Sequence, residues 1–237
     1  MHLFRSIIFS SALAGLLVGV AVTLAQQVGT APLILRGEVY ERAAEAAVPP
    51  ATVSVAHDHA GATDHDHAQP AWEPSGGLER TAYSALANIL TAVGFALVLC
   101  GAYALQGRPA SWRTGLLWGL GGFAVFVVAP GLGLPPKLPG MPTAALEPRQ
   151  AWWIATAAAT ALGLGLLAFR RTVPTILLAL ALLAVPHLIG APQPLDPNTT
   201  VPADLAREFI IAVTLTGLLF WGLLGPLTGA IYRRVSA

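Results

Sequence analysis

The chain is poor in charge. Only 11% of its 237 residues are Asp, Glu, Lys or Arg, while 55% are hydrophobic; soluble domains average about 25% charged residues. With a mean hydropathy of +0.65, this composition excludes an ordinary soluble core and favours the bilayer. Lys137 is the single lysine and the net charge is +1, so no nucleic-acid surface is expected. The one cysteine, Cys100, cannot form an internal disulfide. It lies in an apolar run and reads as a small buried hydrophobe. Catalytic signatures are missing as well. The sequence has no G-x-x-x-x-G-K-[ST], no G-x-S-x-G and no H-E-x-x-H, so it carries no phosphate-binding loop, no ATPase of its own and no familiar hydrolase centre. We read the chain as a non-enzyme. Only His187 falls at membrane depth, which excludes a bis-histidine haem between helices, and no permanently bound cofactor is expected.

What is there is a series of long apolar runs. A helix needs about 20 apolar residues to cross the hydrocarbon core. Segments 7–25, 81–105, 115–134, 151–169, 173–190 and 209–232 meet or approach that length. In lipid each must satisfy its own backbone hydrogen bonds, so each is expected to be a helix. The fold class is therefore an all-α polytopic integral membrane protein with about six transmembrane helices, or five if the first is a cleaved signal. Residues 1–237 read as a single membrane domain, with 26–80 as an outer loop within it. The fifth segment is short and contains Pro186, where it should kink or partly unwind. The link 170–172 forces the fourth and fifth helices into a tight antiparallel hairpin. Glycines four apart recur as Gly15 and Gly19, Gly115 and Gly119, and Gly225 and Gly229. Such pairs let helix backbones approach closely in a bilayer.

Cations set the orientation. With a cytoplasmic N-terminus, the short inner segments 1–6, 106–114, 170–172 and 233–237 hold Arg5, Arg108, Arg113, Arg170, Arg171, Arg233 and Arg234. The much longer outer segments 26–80, 135–150 and 191–208 hold Arg36, Arg42, Arg80, Lys137, Arg149 and Arg207. Cation density is several-fold higher inside, as the positive-inside rule requires, and all 12 acidic residues fall outside. The first apolar run is longer than the 7–15 residues of a signal peptide core, which favours a retained helix over cleavage after Ala25. In either case residues 26–80 lie outside, in the periplasm if the protein sits in a bacterial inner membrane.

That outer loop contains "HDHAGATDHDHA". His57, Asp58 and His59 form one cluster; Asp64, His65, Asp66 and His67 form another. Neutral imidazole and carboxylate are nitrogen and oxygen ligands for divalent first-row metals. A His-rich tract of this density reads as metal-binding; its flanks look disordered in composition. The spacing selects no metal. Affinity order alone places copper first, with nickel, zinc and cobalt following as candidates, and the lack of thiolate disfavours a closed structural zinc site. Ordering the loop costs about 1–2 kcal/mol per residue fixed, so binding should be modest and suited to capture and release. Inside the membrane His187 and Asn88 are the pathway candidates, because intramembrane polar groups often line a route. The threonines Thr91, Thr156, Thr160, Thr214 and Thr216 are expected to bond their own helix backbones.

Several stretches in order carry a resemblance: "PLILRGEVYE" after the first helix, the His/Asp stretch, "WEPSGGLERT" entering the second and "LPPKLPG" after the third. "RQAWW" entering the fourth and "VPHLIGAPQP" ending the fifth complete the series. Over nearly its whole length the chain resembles the CbtA family of predicted cobalt transporter subunits. The resemblance implies inward movement of Co²⁺ (or Ni²⁺) across the inner membrane, a link to cobalamin-regulated genes, and a small single-span partner with its own histidine motif (CbtB-like). Five membrane segments are usually counted in that family; six are counted here. Family members typically carry a glutamate where this chain has Lys137. That departure weakens an ion-binding role for the "PPKLPG" loop and favours a rigid turn built on Pro135, Pro136 and Pro139. A second function fits the same residues: a non-transporting membrane accessory protein that buffers or senses metal for another permease.

Overall fold

A computed structural model describes residues 2–47, 74–107 and 110–236, and every regular element among them is a helix. Helix α1 spans His2–Val28, α2 Thr30–Ala47 and α3 Leu78–Gln106. Helix α4 runs over Trp112–Gly133, α5 over Leu146–Phe169, α6 over Val173–Ile189 and α7 over Ala203–Ser236. Five of these (α1, α3, α4, α5 and α7) are long and apolar enough to cross a membrane, and α6 is a shorter apolar helix of 17 residues. The six apolar segments of the sequence are therefore all helices. Leucines such as Leu90, Leu117, Leu162 and Leu177 point outward, as they do when the solvent around a bundle is hydrocarbon.

Local chemistry sets the boundaries. Ser111 caps α4 by accepting the Thr114 amide at 3.1 Å. Thr172 and Thr175 form a reciprocal capping box at the start of α6. Gly107 closes α3 in the left-handed conformation, at φ 63°. Arg170 to Thr172 link α5 and α6 in the expected hairpin, packed where Gly163 meets Ala179 and Leu183.

Helix α7 is the axis of the bundle, with α1, α3 and α4 packed around it. The glycine pairs are the contact points. A Cβ on Gly115 would overlap the Gly225 carbonyl, and one on Gly225 would overlap the Gly115 carbonyl. One on Gly119 would meet the Trp221 carbonyl, and one on Gly229 the Ser111 carbonyl. Here α4 and α7 touch backbone to backbone. Gly15 and Gly19 do the same for α1 against Val93 and Ile89 of α3. The face of α1 that carries Ser6, Ser10, Ser11, Ala14, Val18 and Val22 is buried, so α1 is a structural member of the bundle. Cys100 is fully buried in the same core, as its apolar context predicts.

Proline has two different effects. Residues Ala124–Val128 of α4 form a π turn, and the Ala129 amide donates to the Ala124 carbonyl five residues back. Pro130 follows directly. It has no amide and in α geometry would clash with the carbonyl four residues earlier; widening the helix by one residue relieves that clash. At Pro186 the expected unwinding does not occur. Helix α6 runs unbroken to Ile189, because Pro186 lies so near its end that few ladder bonds remain to be lost. The second difference from the sequence reading is α2. Residues 30–47, read only as part of an outer loop, form a helix, which takes in the start of a flank that looked disordered.

Candidate functional site

Both chain ends lie at one end of the bundle, where the Ser6 hydroxyl donates to the Val235 carbonyl at 3.1 Å. Arg5, Arg113, Arg170, Arg171, Arg233 and Arg234 lie at that end, by the positions of the helices that carry them. The opposite end carries α2, the turn between α4 and α5, and the segment between α6 and α7. Among the described residues the acidic side chains, from Glu38 to Glu208, belong to this second end.

Helix α2 is held there by docking. Thr30 and Gly37 are buried, and Leu33, Ile34 and Tyr40 pack against Leu138, Val201, Leu205 and Phe209. These positions follow the i, i+3, i+7 spacing of one helical face. The "LPPKLPG" turn lies against this face. A Cβ on Gly37 would approach Pro139 Cδ to 3.1 Å, and one on Gly140 would approach Glu41 Cα to 3.1 Å. Gly140 has φ +79°, a conformation that favours glycine. Leu138 is buried, and the Lys137 ammonium donates to the Pro142 carbonyl across the turn. The loop is therefore a rigid turn, and Lys137 is one of its fasteners.

Ion pairs join α2 to α3 and to α7. Arg80 lies 2.6 Å from Glu38, which also faces Arg42 at 3.8 Å, and Arg36 reaches Glu208 at 3.3 Å. The Arg36–Glu208 pair is exposed on both sides and contributes about 0–1 kcal/mol, while Glu38 is partly buried between its two arginines. The pairs matter for position: Glu38 and Arg80 bring the middle of α2 beside the start of α3.

The metal-ligand candidates His57, Asp58, His59, Asp64, His65, Asp66 and His67 lie outside the described residues. Among the described residues no group of three or more His, Cys, Asp or Glu side chains is placed to hold a metal ion. His187 is half-buried near the end of α6, its ring 6.0 Å from that of Trp152 at 70°. The Trp152 indole N–H donates to the Pro186 carbonyl at 3.2 Å, and Trp152 fills the space that a Cβ on Gly133 would need. His187 thus sits at a junction of α4, α5 and α6. Sequence reasoning found His187 but missed Trp152 and Gly133, which lie in runs where tryptophan and glycine are ordinary.

Asn88 joins two helices. Its amide donates to Thr23 at 3.0 Å and to Gln26 at 2.7 Å, and Thr23 donates to the Gly19 carbonyl at 2.8 Å. Both Asn88 donors are used in fastening α3 to α1, and its carbonyl oxygen is the group left for any other partner. Thr160, Thr214 and Thr216 bond carbonyls of their own helices, as expected; Thr156 departs from that expectation, its hydroxyl oxygen being buried without a hydrogen-bond partner.

Beside the "LPPKLPG" turn lies a cavity of about 1040 Å³. Lys137, Arg149, Gln150, Trp153, Ile154 and Gln193 are among the residues that line it, and among the described residues no carboxylate does. Its charge is positive, so it does not suit a bare metal cation.

No curated protein and no solved structure matches the chain. Residues 4–233 match the family described as probable cobalt transporter subunit, CbtA, which takes in every helix from α1 to α7. The chain belongs to the CbtA family.

Proposed function

We propose that this subunit carries a divalent transition-metal ion, cobalt in the first instance, inward across a bacterial inner membrane. Residues His57, Asp58, His59, Asp64, His65, Asp66 and His67 collect the ion on the periplasmic side, and His187 receives it at the α4–α5–α6 junction. The observation that carries this reading is the family match over 4–233. The density of ligand types in 57–67 supports it, as does the lack of a rival cluster among the described residues. The crowding of arginines at the end that holds both termini supports a cytoplasmic position for that end. Without a phosphate-binding loop, import draws on the membrane potential or on a partner; two charges crossing 100 mV release about 4.6 kcal/mol. The family description as a subunit supports a partner, which we take to be a small single-span protein with its own histidine motif. Uptake of radiolabelled Co²⁺ by cells making this chain, with and without that partner, tests the proposal. Replacing the four loop histidines should raise the concentration for half-maximal uptake; unchanged uptake would remove the loop from the mechanism.

One observation favours a second reading. The hydroxyls of Thr160, Thr214 and Thr216, though not that of Thr156, are occupied by their own helices, and both Asn88 donors bind α1. A bundle so furnished suits an accessory protein that buffers or senses metal for another permease. No uptake in either arm, with metal still bound by the membrane fraction, would select it.

A further inference from the structure

The cavity beside the "LPPKLPG" turn combines features that belong together in one class of ligand. Two cations line it, Lys137 and Arg149. The Arg149 Nε–H is buried with no hydrogen-bond partner, and neither residue is in an ion pair among the described residues. Lys137 spends one donor on the Pro142 carbonyl and keeps the others. That N–H has no accessible surface and does not itself reach the cavity, but the guanidinium as a whole brings an uncompensated charge to the cavity wall, which suits an anion.

Apart from Thr143, Gln150 and Gln193 the rest of the wall is apolar, and its polarity is graded. On α5 Arg149 lies within the first turn, Trp153 follows one turn later on the same face, and Ile154 comes next. At a rise of about 1.5 Å per residue, the aromatic and aliphatic contacts lie about 6–8 Å further along the helix than the cation. Leu146 and Ile154, both lining the cavity, are also exposed on the apolar surface of the bundle. The cavity therefore opens onto the hydrocarbon-facing side, near the end of the membrane-crossing helices. A volume of about 1040 Å³ is at the upper limit of ordinary small-molecule sites.

From these features we infer that the cavity is a binding site for an anionic phospholipid. The headgroup phosphate is held by Arg149 and Lys137 with Gln150 and Gln193 beside it, and an acyl chain runs along Trp153 and Ile154. The inference is independent of the metal-transport proposal. It assigns the positive charge of this cavity, which does not suit cobalt, to the lipid.

Native mass spectrometry of the full chain in detergent tests it, with phosphatidylglycerol and phosphatidylcholine of matched chains as probes and glycerol phosphate as the chain-free arm. The wild type should retain phosphatidylglycerol in preference to phosphatidylcholine. The double variant Lys137→Gln/Arg149→Gln should lose that preference by at least about tenfold, from about fivefold per charge near a membrane surface. The swap Lys137→Arg/Arg149→Lys should keep it, which separates lost charge from a damaged fold. Equal retention of the two lipids by the wild type would overturn the proposal, as would undiminished preference in the folded double variant. Displacement of phosphatidylglycerol by equimolar glycerol phosphate would show a site for free anions and would overturn the lipid assignment.

Discussion

The contact between α1 and α3 yields a prediction with its own control. A Cβ placed on Gly15 would lie 2.6 Å from the Val93 amide nitrogen and 2.7 Å from Val93 Cα. One on Gly19 would lie 2.5 Å from Ile89 Cα and 2.7 Å from its nitrogen. Ordinary van der Waals contact begins at about 3.4 Å, so each alanine requires the two helix backbones to part by about 0.7–0.9 Å, and no side chain can swing aside to make room. Overpacking of this kind costs about 1–3 kcal/mol, offset by the 0.5–1 kcal/mol that alanine gains over glycine within a helix. Gly15→Ala and Gly19→Ala should each destabilise the protein by about 1–2 kcal/mol. Gly94 and Gly101 lie in α3 as well, and a Cβ on either meets nothing within 4 Å. Gly94→Ala and Gly101→Ala should therefore be neutral or stabilising by up to about 1 kcal/mol. Unfolding in detergent by titrated sodium dodecyl sulfate, followed by tryptophan fluorescence and circular dichroism, measures all four. The signs should differ between the pairs. If Gly15→Ala and Gly94→Ala shift the midpoint equally and in one direction, the close approach of α1 to α3 is refuted, and with it the place of α1 in the bundle.

A peptide covering residues 56–68 should bind Co²⁺ or Ni²⁺ at neutral pH and lose it as pH falls through about 6.5, because protonated imidazole cannot ligate; calorimetric titration at two pH values checks this, and no binding at neutral pH would end the capture role. His187→Ala should lower the maximal rate of cobalt uptake, by about tenfold if the ligand contributes 1.4 kcal/mol, without changing metal binding by residues 57–67. Normal rates in both His187→Ala and His187→Trp, at equal protein levels, would instead mark His187 as an interfacial anchor. A topology reporter fused after residue 237 should be active only in its cytoplasmic form, and one inserted near Gly61 only in its exported form. Intact mass of the purified protein should include residues 1–25, as the burial of Ser6, Ser10, Ala14 and Val18 in the bundle demands.

The sequence and the structure agree where the cause is local. The six apolar runs became helices because lipid leaves the backbone no other partner, and the link 170–172 is too short for anything except a hairpin. The glycine spacing was visible, but which helix each pair would meet was not, since Gly115 and Gly225 lie more than a hundred residues apart. Helix α2 escaped notice because its apolar face is narrow and interrupted by Gly37; its partners Leu138, Leu205 and Phe209 come from remote segments. The π turn had a sign in Pro130, read only as part of an apolar run. The cavity is assembled from α2, α4, α5, α7 and two loops, and no window of sequence contains it. The His/Asp stretch is the opposite case: its chemistry is plain in the sequence, and it lies outside the described residues.

The π turn of α4 has a consequence for register. One additional residue within a turn rotates everything beyond it by about 100° relative to an uninterrupted helix. Residues 129–133 are on the far side of that rotation, and it is there that Gly133 faces Trp152. Deleting one residue from 124–128 would swing Gly133 away from the indole and turn a neighbouring side chain into the space that Trp152 fills. It would also return Pro130 to a clash with the preceding turn, so the deletion is barred twice over. The junction where Trp152 grips the Pro186 carbonyl beside His187 is therefore set by the length of a helix on the other side of the contact. An insertion or deletion in α4 would act on His187 without touching it.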